Sequence, residues 1–220
     1  MDEANRDEIF GDLSHYERAK IDLYQVCAQI LNFPREREHE RHFLLAVIRR
    51  TFSLEMAFRQ SIEASNGQMA MTIVRLNLDT LARFYALYWA EETDNMNAET
   101  FAKDVAQGKS IKDMKLRGAK EKASDRWLIR QIESLAEWIP TVYAKTSGAI
   151  HFSDFHITQM LQQAKPIKTL EDGSLHVELS IGPGEKDAAP ELYRELQQAF
   201  LHILLMLITA LQHRAEVALK

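Results

Sequence analysis

The scarcity of helix-breaking residues is the feature that most limits what this sequence can fold into. Its 220 residues include only 8 glycines and 5 prolines, about half the usual share, so long stretches contain nothing that interrupts a helix. Six of these glycines and prolines lie between positions 166 and 190. The sequence therefore predicts long helices over most of the chain and one local change of architecture.

That change is predicted to be a β-hairpin. Polarity alternates along Ile167–Leu170 and Leu175–Ile181, and the Asp172-Gly173 dipeptide between them accepts the positive φ values of a tight turn. We therefore predict a mainly α protein, a bundle of about six helices with one inserted β-hairpin near residues 166–182. The whole chain, residues 1–220, forms one domain in this prediction, and the insertion covers residues 166–184.

Capping residues and prolines give the predicted limits of the helices. A capping box at Ser14–Glu17 begins the first helix, whose apolar residues follow at helical spacing and which ends near Asn32. The later helices are predicted from Pro34 to the break at 65–67, from Gln68 to Ala90, from Asn97, from Ser124 to Trp138, from Pro140 towards Leu161, and from Pro190 nearly to Lys220. The apolar residues of the first helix are Ile21, Tyr24, Ala28 and Leu31.

Composition narrows the class of protein further. The net charge is -5, and the single cysteine, Cys27, excludes an intramolecular disulfide and any four-thiolate metal site. The acidic start of the sequence lacks the pattern of a secretory signal, so we expect a cytoplasmic protein. The longest apolar run, Ala199–Leu211, is shorter than the roughly 20 residues that a membrane-spanning helix requires, and no membrane association is predicted.

The third predicted helix carries an unusual charged stripe. Gln68, Thr72, Arg75, Asp79 and Arg83 lie within about 80° of its circumference, and nearly all its other residues are apolar. Such a helix is buried on most sides, so the charged residues must find partners. Asp79 is four residues from each arginine and can neutralise them. The stripe nevertheless keeps one excess positive charge, which would suit an anion.

A second stripe lies in the segment that follows Pro140. Tyr143, Ser147 and His151 are spaced four residues apart, so an unbroken helix would present them on one face, with Asp154 one turn beyond. Imidazole exchanges protons near neutral pH, and His151 is a candidate general acid or base. The alternative is that Gly148 or Ser153 breaks the helix and the histidines have structural roles.

Residues 101–130 form a basic segment with nine lysines and arginines against four acidic residues, a net charge of +5. Lys112, Lys115 and Arg117 at its centre are candidate ligands for a phosphate backbone, although a solvated helix or loop is the simpler explanation. The other 190 residues carry a net charge of -10, so the segment is a basic strip on an acidic body.

Neither a cofactor nor a metal is predicted. The chain has no phosphate-binding loop, no dinucleotide fingerprint, no hydrolase elbow and no His-Glu-x-x-His motif. Only one Glu-x-x-His pair occurs, Glu36 to His39, in a stretch of alternating charges that is typical of a solvated helix surface. His151, Asp154 and His156 would be scattered around a helix, which is unsuitable for zinc.

The Arg75–Asp79–Arg83 helix, the Tyr143-x-x-x-Ser147-x-x-x-His151 segment and the apolar last helix together resemble uncharacterised bacterial helical proteins related to the HEPN superfamily. Arg35 and Arg37 also stand at the family's Arg-x(4–6)-His spacing from His42, but such matches are expected by chance in this composition. The resemblance implies a helical bundle, a homodimer and, in many members, a metal-independent ribonuclease of a toxin or antiphage system.

The leading hypothesis is a HEPN-like protein that binds RNA or a nucleotide and cleaves RNA. His151 would then assist the 2′-hydroxyl or the leaving group, Arg75 and Arg83 would hold the phosphate, and Asp79 would orient the arginines, with Tyr143 and Ser147 as further hydrogen-bonding groups. The alternative is a non-enzymatic, homo-oligomeric interaction or scaffold protein in which these charges form buried structural ion pairs. In that case the last helix would be the interface.

Overall fold

The protein is a helical bundle with one small antiparallel hairpin, as predicted. The computed structural model describes residues 14–162, 164–179 and 190–219. Eight α-helices lie in these residues: α1 Ser14–Leu31, α2 Glu38–Glu63, α3 Gly67–Glu91, α4 Ala98–Ala106, α5 Asp125–Ile132, α6 Ile139–Ser147, α7 Asp154–Gln162 and α8 Pro190–Ala218. The two strands are β1 Lys165–Thr169 and β2 Leu175–Glu178.

Local sequence signals explain several of these limits. The Asn66 side chain accepts a hydrogen bond from the Met69 N–H at the start of α3, and Asn97 and Thr100 form a reciprocal capping box on α4. Ser124 caps α5 as predicted, through the Trp127 N–H. The predicted capping box of the first helix involves the Ser14 side chain, which lies outside the described residues.

Two predicted helices end earlier than expected. The helix that begins after Ser124 stops at Ile132 and continues only as a 3₁₀ turn, Glu133–Leu135, so the predicted end at Trp138 is wrong. The helix near Pro140 stops at Ser147, and α7 starts afresh at Asp154. A Cβ on Gly148 would lie 2.8 Å from the Phe155 Cβ. The start of α7 therefore packs closely against the chain at Gly148, where the helix ends. A break at Gly148 or Ser153 was the alternative that the sequence left open.

Helix α3 lies at the centre of the bundle, as its mostly apolar surface predicts. It packs against α2, α4, α5, α6 and α8, and residues such as Leu78, Leu81 and Leu87 are fully buried. Helix α8 packs against α1 and α3 along one face, with Phe200 stacked on Phe58 of α2. Much of the apolar surface of α8 is thus covered within the chain, without the partner that the sequence argument invoked.

Helix α1 uses a different face from the one predicted. Its buried side chains are Tyr16, Ala19, Leu23, Val26 and Ile30. The predicted apolar series is instead exposed: Ile21, Tyr24 and Leu31 are each more than half accessible, and Ala28 is also exposed. Both faces of this helix have apolar residues at helical spacing, so periodicity alone selected the wrong one.

The hairpin forms where it was predicted. Strands β1 and β2 pair antiparallel, with an irregularity between Pro166 and Lys168, and Gly173 in the turn has a φ of 82°. The Asp172 carboxylate accepts hydrogen bonds from the N–H and the hydroxyl of Ser174, which fixes the turn. The predicted part of the insertion beyond residue 179 lies outside the described residues.

Within the described residues, Glu191–Ala218 of α8 is the one helix long and apolar enough to cross a membrane. The apolar run Ala199–Leu211 within it is shorter than a membrane-spanning helix, which is why the sequence predicted none here. Half of its most apolar stretch is buried inside the bundle, and a core helix of a soluble protein has the same length and composition.

Candidate functional site

The charged stripe of α3 forms a chain of ion pairs that extends to α5. One guanidinium nitrogen of Arg83 binds the Asp79 carboxylate, and the other donates to Asp125 at 2.7 Å. Arg75 lies on the opposite side of Asp79, with 3.9 Å between its Nη1 and the Asp79 Oδ1. The local neutralisation foreseen in the sequence is therefore present, and Asp125 adds a second carboxylate that the sequence argument missed.

Arg75 is a buried cation of this stripe whose side chain lacks hydrogen-bond partners. Only 5% of it is exposed, its guanidinium carbon lies 4.4 Å from the centre of the Tyr143 ring, and its buried Nε has no hydrogen-bond partner. The Arg75 side chain makes no hydrogen bond with any of the described residues. The charge is stabilised by the aromatic face and by the longer-range pairing with Asp79. Tyr143, predicted as a hydrogen-bonding group, therefore contacts Arg75 through its ring.

Burial is the largest influence on the pKa of Asp79. Its removal from water raises the pKa of Asp79, and this effect outweighs the opposing influence of Arg83 and Arg75. The Asp125 carboxylate raises the pKa further, whereas Arg50 on α2 lowers it. Asp79 is consequently held between cations from two helices rather than from α3 alone.

A groove of about 410 Å³ opens beside this stripe, between α2, α3 and α4. Arg50, Asp79 and Arg83 provide its charged groups, and Phe43 and Ile111 are among the apolar side chains that line it. The Arg50 Nε donates to the Thr80 hydroxyl at 2.9 Å, which holds this exposed arginine along the groove. Sequence reasoning missed Arg50 because nothing in α2 marks it as different from the neighbouring arginines.

The basic segment is a folded part of the bundle. Its residues Ile111, Met114 and Leu116 are buried in the core. Four of its nine cations, Lys109, Arg117, Lys122 and Arg130, pair with Asp104, Glu92, Asp113 and Glu121 respectively. The side chains of the other five, all exposed, make no hydrogen bond or ion pair with any described residue: Lys103, Lys112, Lys115, Lys120 and Arg126.

The three predicted binding residues of this segment therefore divide into two kinds. Lys112 follows the groove residue Ile111, and Lys115 lies three positions further along; both present a cation to solvent. Arg117 instead ties the segment to the end of α3. Its backbone N–H donates to the Trp89 carbonyl and to the Thr93 hydroxyl, and its side chain pairs with Glu92.

The predicted stripe of Tyr143, Ser147 and His151 does not form a single helical face. Helix α6 ends at Ser147, whose hydroxyl donates to the Tyr143 carbonyl at 2.5 Å. His151 lies outside the helix, between α6 and α7, and is exposed. It makes no hydrogen bond or ion pair in the described part of the chain, so no acidic partner orients its imidazole there.

The turn that contains His151 lies beside a different part of α3 from Arg83. Two residues before His151, the Ala149 carbonyl accepts a hydrogen bond from the Thr72 hydroxyl at 3.1 Å, which places this turn beside the first part of α3. Arg83 is 11 residues further on, and a helix rises 1.5 Å per residue, so it lies about 16 Å along the axis. The structure thus brings together Arg75, Asp79, Arg83 and Tyr143 but does not join His151 to Arg83.

One arginine with hydrogen bonds from all three of its guanidinium nitrogens was not predicted as a site residue. Arg214 of α8 is 2% exposed; its Nε donates to Glu40 of α2 at 2.5 Å, and its two terminal nitrogens each donate to Glu91 of α3 at 2.8 Å. Burial alone would lower the pKa of Arg214, but the hydrogen bonds to Glu91 and Glu40 raise it above its usual value. Glu40 also accepts from Arg37 at 3.1 Å.

Arg35, Glu36 and Glu38 at the charged start of α2 are exposed, as predicted, but Glu40 is only 1% exposed and belongs to this network. The Glu99 carboxylate of α4 caps the same end of α2 by accepting from the backbone N–H groups of His39 and Glu40. It also contacts the His39 ring nitrogen at 2.7 Å. Burial raises the pKa of Glu99, but these hydrogen bonds lower it by more, and the net shift is downward.

In the described residues, no group of three or more histidine, cysteine, aspartate or glutamate side chains is arranged to hold a metal ion. No protein-family model, curated protein sequence or solved structure matches this chain. The HEPN resemblance therefore stays a prediction from the residues quoted for it.

Proposed function

We propose that this chain is a HEPN-like protein that binds RNA or a nucleotide, and that the groove between α2, α3 and α4 receives the phosphate. The observation that carries the proposal is the convergence of cations from separate elements on this groove. Arg50 and Arg83 line it, and Lys112, which has no ion-pair partner among the described residues, adjoins it in sequence. Such a grouping would attract an anion although the whole chain has a net charge of -5.

Asp79 and Asp125 set how a phosphate would bind. Both carboxylates occupy donor positions of Arg83, so a ligand phosphate would share this arginine or displace Asp125, whose side chain is half exposed. The Arg50 guanidinium has no ion pair with a carboxylate of the described residues, so its charge is available to a phosphate. We therefore assign the main phosphate contact to Arg50 and Lys112, with Arg83 fixed in place by its two aspartates.

Binding of a fluorescently labelled single-stranded RNA, followed by anisotropy over a range of salt concentrations, tests this assignment. Each cation that contacts a phosphate releases counterions, so Arg50→Gln and Lys112→Gln should each reduce the slope of log Kd against log salt by about 1. Lys168→Gln in the hairpin removes the same charge away from the groove and is the matched control. Equal slopes for all four proteins would contradict the groove as the binding site.

Cleavage is a separate part of the proposal, and the geometry supports it less than binding. A phosphate held near Arg83 would be far from His151 of the same chain, given the separation of about 16 Å along α3. RNA cleavage in EDTA by the wild type and by His151→Ala tests this role. Activity that survives the substitution would remove His151 from the mechanism, and no activity in the wild type would leave RNA or nucleotide binding as the function.

The alternative function is that of a non-enzymatic interaction or scaffold protein. The pairing of Arg83 with two carboxylates and of Arg214 with Glu40 and Glu91 favours it, because these charges have the partners that a purely structural role requires. The salt titration separates the two functions. A scaffold without a phosphate site would show no RNA binding that depends on Arg50.

A further inference from the structure

A cavity of about 350 Å³ lies between α6 and α8. Met71 and Val74 of α3 line it, together with apolar side chains of the other two helices such as Val142 and Leu196. Both α6 and α8 pack against α3, but they make few contacts with each other. The gap between them is therefore lined by apolar side chains that no described helix fills.

Two contacts that join α6 to α8 across this cavity give its length. The centre of the Trp138 ring, just before α6, lies 6.1 Å from that of the His202 ring. The Lys145 Nζ lies 3.6 Å from the Glu195 Oε2. The two contacts are seven residues apart on each helix, and a helix rises 1.5 Å per residue, so about 10 Å separates them. All four residues line the cavity, which is therefore bridged at points about 10 Å apart.

The charges around this cavity belong to exposed side chains. Apart from His202, Lys145 and Glu195 are the only acidic or basic residues among the described residues that line it, and their side chains are 67% and 66% exposed. They pair with each other, so together they add no net charge. An exposed ion pair of this kind contributes little to stability and can separate to admit a ligand. The apolar walls offer no partner to a buried charge, which favours an uncharged ligand.

We propose that this cavity binds an uncharged aromatic molecule of about two rings. Its volume lies within the range of about 300–1,000 Å³ that is typical of small-molecule sites, and a two-ring molecule suits its length. The half-buried Trp138 provides an aromatic surface at one end. The exposed Thr141 and Gln198 can form hydrogen bonds with one polar group of the ligand. The proposal does not depend on RNA binding, because the cavity shares no lining residue with the phosphate groove.

Titration with prodan, an uncharged naphthalene dye whose emission shifts in apolar surroundings, tests the class of ligand. The wild type should bind it at a single saturable site. Naphthylmethanol should displace the dye, and naphthoate, which has the same rings and a carboxylate, should do so about tenfold or more weakly because its charge would lose water. No saturable binding of prodan, or equal displacement by the alcohol and the carboxylate, would overturn the proposal.

Substitutions in the cavity wall test where the dye binds. Ala199→Trp fills the cavity and should abolish prodan binding, whereas Ala144→Trp adds the same side chain at an exposed position of α6 outside the lining. Leu192→Asp places a charge in the wall without added bulk and should weaken binding about tenfold or more, which tests the site even if Ala199→Trp does not fold. Leu161→Asp makes the same change at an exposed position of α7 and is its control. Unchanged binding by Leu192→Asp, or equal losses in variant and control, would show that the dye binds elsewhere and would refute the assignment.

Discussion

Two buried arginines in this protein should differ strongly in how much stability the same substitution removes. Arg214 is 2% exposed and makes three hydrogen bonds to carboxylates, whereas Arg75 is 5% exposed and makes none in the described residues. Methionine has a similar length and no charge. Comparing Arg214→Met with Arg75→Met therefore separates the effect of lost ion pairs from the effect of changing a buried side chain.

The expected cost of Arg214→Met arises mainly from Glu40. That carboxylate is 1% exposed and would keep only its contact with Arg37, whereas Glu91 is exposed and can be solvated. Leaving one buried charge without its partner costs about 3–5 kcal/mol. For a domain of this size, each kcal/mol lowers the melting temperature by about 2–4 °C, so we expect a decrease of about 6–20 °C.

Arg75→Met should change the free energy of unfolding by no more than about 1 kcal/mol. The substitution removes the contact with the Tyr143 ring, but it also ends the burial of a guanidinium without hydrogen bonds, and Asp79 keeps Arg83. Loss of a cation–π contact costs about 0.5–2 kcal/mol, and relief of the desolvation offsets it.

Urea denaturation followed by circular dichroism measures both variants. Arg130→Met is a useful control, because its ion pair with Glu121 is exposed and should be worth about 1 kcal/mol or less. The double variant Arg214→Met with Glu40→Gln should regain part of the lost stability, since position 40 then no longer carries a buried charge that has lost Arg214. Equal stabilities of Arg214→Met and Arg75→Met, or no recovery in the double variant, would refute this reasoning.

The remaining predictions concern helix ends. Glu99→Gln should destabilise the protein by about 1 kcal/mol through the weakened cap of α2. Because the pKa of Glu99 is lowered in the folded state, its contribution is present above the unfolded value of about 4.5 and is lost as the pH falls through the folded value. Urea titrations from pH 7 to pH 3 should therefore converge for wild type and variant; a constant difference would contradict the assignment. Gly148→Ala should cost about 1–3 kcal/mol, because its Cβ would lie 2.8 Å from that of Phe155; a neutral thermal melt would show that α7 shifts freely.

Helix limits were predictable where the signal is local. The end of α2 and the start of α3 follow from the break at residues 65–67, and the start of α4 follows from Asn97. The end of α6 was ambiguous, since Gly148 is tolerated within a helix as well as after one. The close approach of Phe155 from α7 to Gly148 is a tertiary contact, so no sequence pattern within α6 could predict it.

The first helix shows a second limit of sequence reasoning. Periodicity finds apolar stripes, but it cannot rank two of them on one helix, and α1 has one formed by Ala19, Leu23, Val26 and Ile30 as well as the exposed one. Packing against α8 selects the buried stripe, with the Tyr16 hydroxyl donating to the Gln197 carbonyl.

The candidate site illustrates why charge must be counted over a surface and not along a helix. On α3 alone, Arg75, Asp79 and Arg83 leave one excess positive charge. Asp125 from α5 cancels that excess, and Arg50 from α2 restores it in the groove. Neither is close to α3 in sequence, and spacing rules of three and four residues find only partners on the same helix. An anion would thus be bound by the residue that the sequence did not mark, and the Arg50→Gln titration decides the question more directly than any substitution on α3.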